Sequence, residues 1–165
     1  MSGAIGPEAV TIRPFVPADA EAFRELNLEW VRTYFRVEAK DEATLSDPEG
    51  TILAPGGQIF MADFAGQTVS CVALLPMPPD CYEVAKMAVS PAVQGRGAGR
   101  RLLMAAIDWA RAQGAARLYL ESNGRLEPAL HLYEAVGFRH LPPDRRPVSP
   151  YARADVFMEM SLIIR

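Results

Sequence analysis

The sequence predicts a single α/β domain built around a mixed sheet. Three observations lead there. Short runs of period-two apolar alternation interchange with longer runs whose apolar residues recur every three or four positions. A strand–helix–strand crossover occupies 81–122, and a connection of that kind joins parallel strands. The length is 165 residues, 50% of them hydrophobic and 22% charged, which suits one domain with a real core. The expected domain is 1–165, with 1–8 outside its packed part.

The first strand is "AVTIRPF" (9–15). Pro17 opens the helix after it, because proline's fixed φ and missing N–H suit a first turn. Phe23, Leu26, Trp30, Val31 and Tyr34 then share one helical face. Residues 38–56 are polar and rich in turn residues, including Asp47-Pro48 and Pro55-Gly56-Gly57, and read as a short helix and loops that can line a substrate site. "QIFMADF" (58–64) and "TVSCVALL" (68–75) form a hairpin about Ala65-Gly66-Gln67, and "CYEVAKMAV" (81–89) is a further strand. A helix follows the glycines at 95–99, with Leu103, Ala106, Ile107 and Ala110 as its buried stripe, Leu102 beside them and Gly114 as its stop. "ARLYLES" (116–122) is the next strand. Pro128 starts a helix carrying Leu130, Leu132, Tyr133 and Val136, which Gly137 ends. "ADVFMEMSL" (154–162) alternates and closes the order β-α-ββ-β-α-β-α-β.

Charge narrows the function. The formal net charge is −3, whereas a nucleic-acid or anionic-membrane binder shows a basic excess. No run of 18 apolar residues exists, and "MSGAIGPEAV" lacks the basic start and apolar core of a signal peptide. A cytoplasmic protein with no nucleic-acid or membrane partner is expected. Cys71 and Cys81 sit in strand-like apolar contexts and read as buried thiols. No Cys/His metal spacing is present, and His131 and His140 stand alone, so no metal is expected.

The segment "PAVQGRGAGRRLLMAAIDWA" (91–110) carries three glycines in five positions ahead of a helix. A dinucleotide fingerprint needs a third glycine where Arg100 stands, and a P-loop needs a lysine and a hydroxyl where the chain reads Arg-Arg-Leu. Gly95, Gly97 and Gly99 nevertheless let the backbone approach a ligand closely and turn N–H groups toward it. The helix that starts there adds its positive end, and Arg96 and Arg100 add charge. Such a cradle suits a pyrophosphate without a metal.

Gln94-x-x-Gly97-x-Gly99, between a strand and a helix, resembles the acyl-CoA-binding signature of the GCN5-related N-acetyltransferase (GNAT) superfamily. "YEVAKMAVSPAVQGRGAGRRLL" resembles that family along its length, and "LYLESNGRLEPALHLYEAVGF" resembles its second conserved segment. The likeness is strong over 81–138 and extends to the remainder through the element order. It implies the family's fold: a central mixed, mostly antiparallel sheet flanked by helices, with a splayed parallel strand pair that holds the cofactor. It implies an enzyme that moves an acetyl group from acetyl-CoA to an amine directly in a ternary complex. The acceptor is then a small-molecule or peptide amine. Homodimers are common in the family, but no interface is legible here.

Residue by residue, the resemblance places Met87, Ala88 and Val89 beside the pantetheine arm and the thioester. It places the backbone of Gln94, Gly95, Arg96, Gly97, Ala98, Gly99 and Arg100 around the pyrophosphate. Glu83, eleven residues before Gln94, matches the general-base glutamate of one branch. A carboxylate helps because an alkyl amine of pKa about 10.4 leaves roughly one molecule in 2,500 neutral at pH 7, a deficit of about 4.6 kcal/mol. Strand alternation puts Glu83 on a face with Ala85, Met87 and Val89 unless a bulge flips the parity. Tyr133 matches the tyrosine that protonates the departing thiolate. Many members carry an asparagine seven residues before that tyrosine. Leu126 stands there in this chain, and Asn123 is the candidate to reach coenzyme A from the strand end. Lys86 reads as a solvated strand residue and His131 as a surface one.

The acceptor is weakly encoded. Tyr34, Glu38, Asp41 and Glu42 either attract a cationic amine or form a solvated acidic surface, and Arg153 either holds a substrate carboxylate or is a surface charge. A non-catalytic acyl-CoA-binding sensor or assembly module is the alternative function. The presence of both Glu83 and Tyr133 favours the enzyme.

Overall fold

Alternating side chains and paired turn residues build a seven-stranded sheet in the order β1-β2-β3-β4-β5-β7-β6. The computed structural model describes residues 9–163. The expectation for 1–8 therefore falls outside the described residues. The strands are β1 (Thr11–Pro14), β2 (Gln58–Phe64), β3 (Gln67–Met77), β4 (Cys81–Val89), β5 (Arg117–Ser122), β6 (Arg139–His140) and β7 (Val156–Ser161). The helices are α1 (Ala20–Tyr34), α2 (Ala39–Ser46), α3 (Ala98–Ala112) and α4 (Glu127–Val136). A single π turn, Glu49–Leu53, follows α2.

Neighbouring strands run antiparallel except β4 and β5, which α3 connects and which pair in parallel. That is the mixed, mostly antiparallel sheet expected. The β2–β3 turn is Ala65-Gly66, both with positive φ (51° and 79°), the conformation that matches strand twist in two-residue hairpins. The two-residue strand β6 was not anticipated.

Two apolar layers enclose the sheet. On one face Leu102, Leu103, Ala106, Ile107 and Ala110 of α3 pack on Ala62, Val72, Leu74, Val84 and Leu120. That is the stripe the periodicity predicted. On the other face Phe23 and Leu28 of α1, with Leu45 and Ile52, pack on Ile59, Met61, Cys71, Ala73 and Ala88. The α1 stripe is rotated from the predicted one. Phe23, Asn27, Leu28 and Val31 are buried, Leu26 and Trp30 partly so, and Tyr34 is exposed. Asn27 is tolerated inside because its amide donates to the Phe23 carbonyl at 2.9 Å.

One bulge decides how β4 faces these layers. Cys71 pairs with Ala88 and Ala73 with Ala85, so Lys86 and Met87 together oppose the single Val72. Lys86 takes φ +53°, uncommon for a residue with a side chain. The parity therefore flips, and the expected shared face is corrected. Val84 before the bulge and Met87 and Val89 after it lie on the α3 layer, whereas Ala88 joins the α1 layer. Glu83 and Ala85, alternating with Val84, point away from α3.

Candidate active site

The parallel ladder between β4 and β5 runs from Cys81↔Arg117 to Val84↔Leu120 and stops. Beyond Val84 the bulge bends β4, β5 has no partner for it, and a cleft opens between the two strands. Ser90 N–H bonds the Val69 carbonyl on β3, so by alternation the backbone groups of Val89 and Met87 face the cleft. The Ala88 carbonyl is engaged, accepting from Ser70 Oγ at 2.8 Å.

At the end of this edge the glycine segment forms an open cradle. Gly95 and Gly97 have φ of +83° and +78°, and a Cβ added to either would meet nothing within 4 Å. Gln94, Arg96 and Arg100 are exposed around it, with the Arg96 guanidinium 4.7 Å from the Phe64 ring centroid. Gly97 caps α3, whose first hydrogen bond runs from Arg101 N–H to the Gly97 carbonyl. The N–H groups of Ala98, Gly99 and Arg100 thus have no helical acceptor, a site suited to an anion. Arg96 N–H is directed to the Val93 carbonyl instead. Gly99 serves packing: a Cβ there would come within 3.2 Å of Leu132, where α4 crosses α3. An edge with free backbone groups leading to an anion cradle fits a long amide-bearing chain that ends in a pyrophosphate.

Glu83, Glu121 and Tyr133 line the cleft together. Burial, reinforced by the Glu121 charge, pushes the Glu83 carboxyl up to about 7, with Lys86 and Lys40 opposing. Glu121 accepts from Tyr119 Oη at 2.8 Å and Ser149 Oγ at 2.5 Å. Burial pushes the Tyr133 phenol up to about 12. Its ring packs edge-on against Phe138, and among the described residues its hydroxyl has no hydrogen-bond partner. Met87, Asn123 and Leu126 also line the cleft.

Residues 21–138 match the family model described as "Acetyltransferase (GNAT) family". The chain belongs to that family. The acetyltransferase is 34% identical over 146 residues to N-alpha-acetyltransferase RimI of Mycobacterium tuberculosis, a match covering 84% of each chain. Its fold matches a GNAT-family acetyltransferase from Staphylococcus aureus, with TM-score 0.85 and 21% identity over 94% of this chain and 100% of that one. It also matches yncA, a putative acetyltransferase from Salmonella typhimurium solved with acetyl-CoA, with TM-score 0.74 and 22% identity over 95% and 96% of the two chains. Among the described residues no cluster of His, Cys, Asp or Glu suits a metal ion, and no helix is long and apolar enough to cross a membrane.

The acetyltransferase brings most sequence-selected residues to the cleft or the cradle. Asn123 lies on the cleft wall, but both ends of its amide are used within the chain. Its oxygen accepts from Arg125 N–H at 2.8 Å and its nitrogen donates to the Arg153 carbonyl at 2.7 Å. His131 is exposed, as expected.

Lys86 is a correction. Its side chain is 8% exposed, and its Nζ lies 2.8 Å from Asp41 Oδ1 and 2.7 Å from Tyr151 Oη. The left-handed conformation at the bulge accompanies a side chain that reaches Asp41 and Tyr151 instead of water. Asp41 is fully buried and also accepts from both Nη atoms of Arg153, at 2.7 and 2.8 Å. Burial alone would raise the Asp41 carboxyl, but the Arg153 and Lys86 hydrogen bonds outweigh it and hold the group at about 2. Asp41 therefore offers no free charge to a cationic acceptor, and Arg153, paired also with Glu38 at 3.3 Å, offers none to a carboxylate. The Lys86–Asp41–Arg153–Tyr151 cluster and Glu121 escaped sequence reasoning. Asp41 and Arg153 are 112 residues apart, and no spacing rule links them.

Proposed function

We propose that the protein is an N-acetyltransferase that moves the acetyl group of acetyl-CoA to a primary amine of a small molecule or peptide, by direct attack while both substrates are bound. The observation that carries this reading is the convergence of Glu83 and Tyr133 on one cleft beside the free edge of β4. In this reading the backbone of Met87 and Val89 aligns the donor's amide arm. The N–H groups at the start of α3, with Arg96 and Arg100, hold its pyrophosphate.

Glu83 accepts a proton from the incoming ammonium, giving the neutral amine. With its pKa at about 7 it is half ionised at neutral pH, so it takes the proton and returns it to water readily. The amine nitrogen forms a bond to the acetyl carbon as the carbon–sulfur bond breaks. Tyr133, still protonated at neutral pH and lacking a protein partner for its hydroxyl, gives its proton to the departing sulfur. A thiolate whose thiol has a pKa of about 8.5 is a weaker base in water than a phenolate, so this transfer relies on contact between the two groups. The nitrogen, positively charged once bonded to the acetyl carbon, loses its extra proton through water, and an equivalent proton from water restores the Tyr133 phenol.

An acceptor screen read by thiol release tests the proposal, covering polyamines, amino acids, aminoglycosides and peptide N-termini. The relative named as an N-alpha-acetyltransferase supports including the last class. Turnover with intersecting initial-rate lines is expected. Parallel lines, or thiol released stoichiometrically before any amine is added, would refute direct attack.

A further inference from the structure

Tyr151 lines the acceptor side of the cleft, and its neighbours fix which hydrogen-bonding role its hydroxyl can play. Lys86 Nζ lies 2.7 Å from Tyr151 Oη. An ammonium carries only donors, so the tyrosine oxygen accepts in this contact. The phenolic hydrogen is then left to donate, and among the described residues no acceptor lies within hydrogen-bond reach of it. The nearby carboxylate of Asp41 is saturated by Lys86, Arg153 and the Glu38 N–H. The ring itself is clamped: the Arg153 guanidinium stands 4.4 Å and Lys86 Nζ 4.7 Å from its centroid. A phenol hydrogen-bonded by an ammonium is a polarised and strengthened donor. Its O–H is thus a fixed donor on the lining of the cleft.

We propose that Tyr151 Oη donates a hydrogen bond to an oxygen of the acceptor, so the acceptor is a primary amine with a carbonyl, carboxylate or hydroxyl oxygen close to its nitrogen. This rests on the amine-acceptor reading above and narrows it. The position of the donor beside Glu83 means the oxygen and the reacting nitrogen must be presented together. A plain alkylamine satisfies Glu83 but takes the O–H out of water without giving it a partner, which costs binding. Lys86, Asp41 and Arg153 act here through Tyr151: they position it and touch no substrate.

The test compares matched amines that differ only in that oxygen, such as glycinamide, ethanolamine and ethylamine, with the wild type and Tyr151→Phe. Phenylalanine keeps the ring under Arg153 and removes only the hydroxyl. The wild type should prefer the oxygen-bearing amines by roughly tenfold or more in kcat/KM, with Tyr151→Phe levelling the preference. The loss should appear in the acceptor KM, while the acetyl-CoA KM stays unchanged; a small drop in Tm accompanies it because Lys86 loses one acceptor. Equal rates on all three amines with the wild type, or a preference that survives Tyr151→Phe, would overturn the proposal while leaving N-acetyl transfer intact. Turnover of no amine whatever would overturn both.

Discussion

Lys86 Nζ sits 2.8 Å from Asp41 Oδ1, with 8% of one side chain and none of the other exposed. The pair ties the β4 bulge to α2, a helix 45 residues earlier in the chain, and with Arg153 it draws in the segment before β7. Burying charge is costly unless every partner is present, so the cluster is strong only when complete.

Asp41→Asn should therefore destabilise the protein by about 3–5 kcal/mol, because it leaves the nearly buried Lys86 without a carboxylate and Arg153 with only that of Glu38. Urea unfolding at pH 7 measures the loss. The pH dependence has a definite sign. A carboxyl held at about 2 in the fold and near 3.8 when unfolded contributes stability that is full above the unfolded value. That stability disappears as pH falls from about 4 through 2. The Asn variant should lack this acid-sensitive part of the profile.

Glu83 has the opposite linkage. Its folded carboxyl is raised from 4.5 to about 7, so its stability contribution is fully present below 4.5 and is lost as pH rises through 7. Glu83→Gln should be more stable than the wild type at pH 8, and the advantage should vanish at pH 4. The same variant should lose the ascending limb of kcat near pH 7, and kcat at pH 8 should fall about 100-fold. An unchanged pH–rate profile would remove Glu83 from the chemistry.

Tyr133→Phe should lower kcat about 100-fold with little effect on either KM, measured by steady-state thiol release. The acid limb set by Glu83 should remain. With the phenol pushed up to about 12, no descending limb from Tyr133 is expected below pH 10.

Gly97→Ala tests the cradle without a clash, since its Cβ would face open space. The cost is backbone strain at φ +78°, about 1 kcal/mol. The expected result is a modest drop in Tm and a several-fold rise in the acetyl-CoA KM, with the acceptor KM unchanged. Calorimetry with coenzyme A checks the binding part directly.

Much of the fold was legible because it is written locally. The α3 stripe at Leu103, Ala106, Ile107 and Ala110, the Ala65-Gly66 turn and the Cys81–Val89 strand all follow from periodicity and turn chemistry over a dozen residues or fewer. The α1 face was misjudged because Asn27 and Leu28 break the simple apolar count, and tertiary contact with Cys71 settles it. The bulge at Lys86 was foreseen only as a contingency, since it depends on pairing with β3. The glycine cradle lies in one contiguous segment and could be read. The Lys86–Asp41–Arg153–Tyr151 cluster is assembled from α2, β4 and the approach to β7, and long-range ion pairing between such segments leaves no mark in a single sequence.

The short ladder between β4 and β5 has a mechanical consequence. Four residue pairs, Cys81↔Arg117 to Val84↔Leu120, join two half-sheets that are otherwise separate along this seam. In the proposed reading, an extended amide chain lying against Met87 and Val89 would continue the seam as a substitute strand. Donor binding and folding stability are then one linked equilibrium, worth about 2.7 kcal/mol when the donor stands at a hundred times its Kd. Amide hydrogen exchange along 85–89 should slow on binding, and the protein saturated with donor should be the form most resistant to heat.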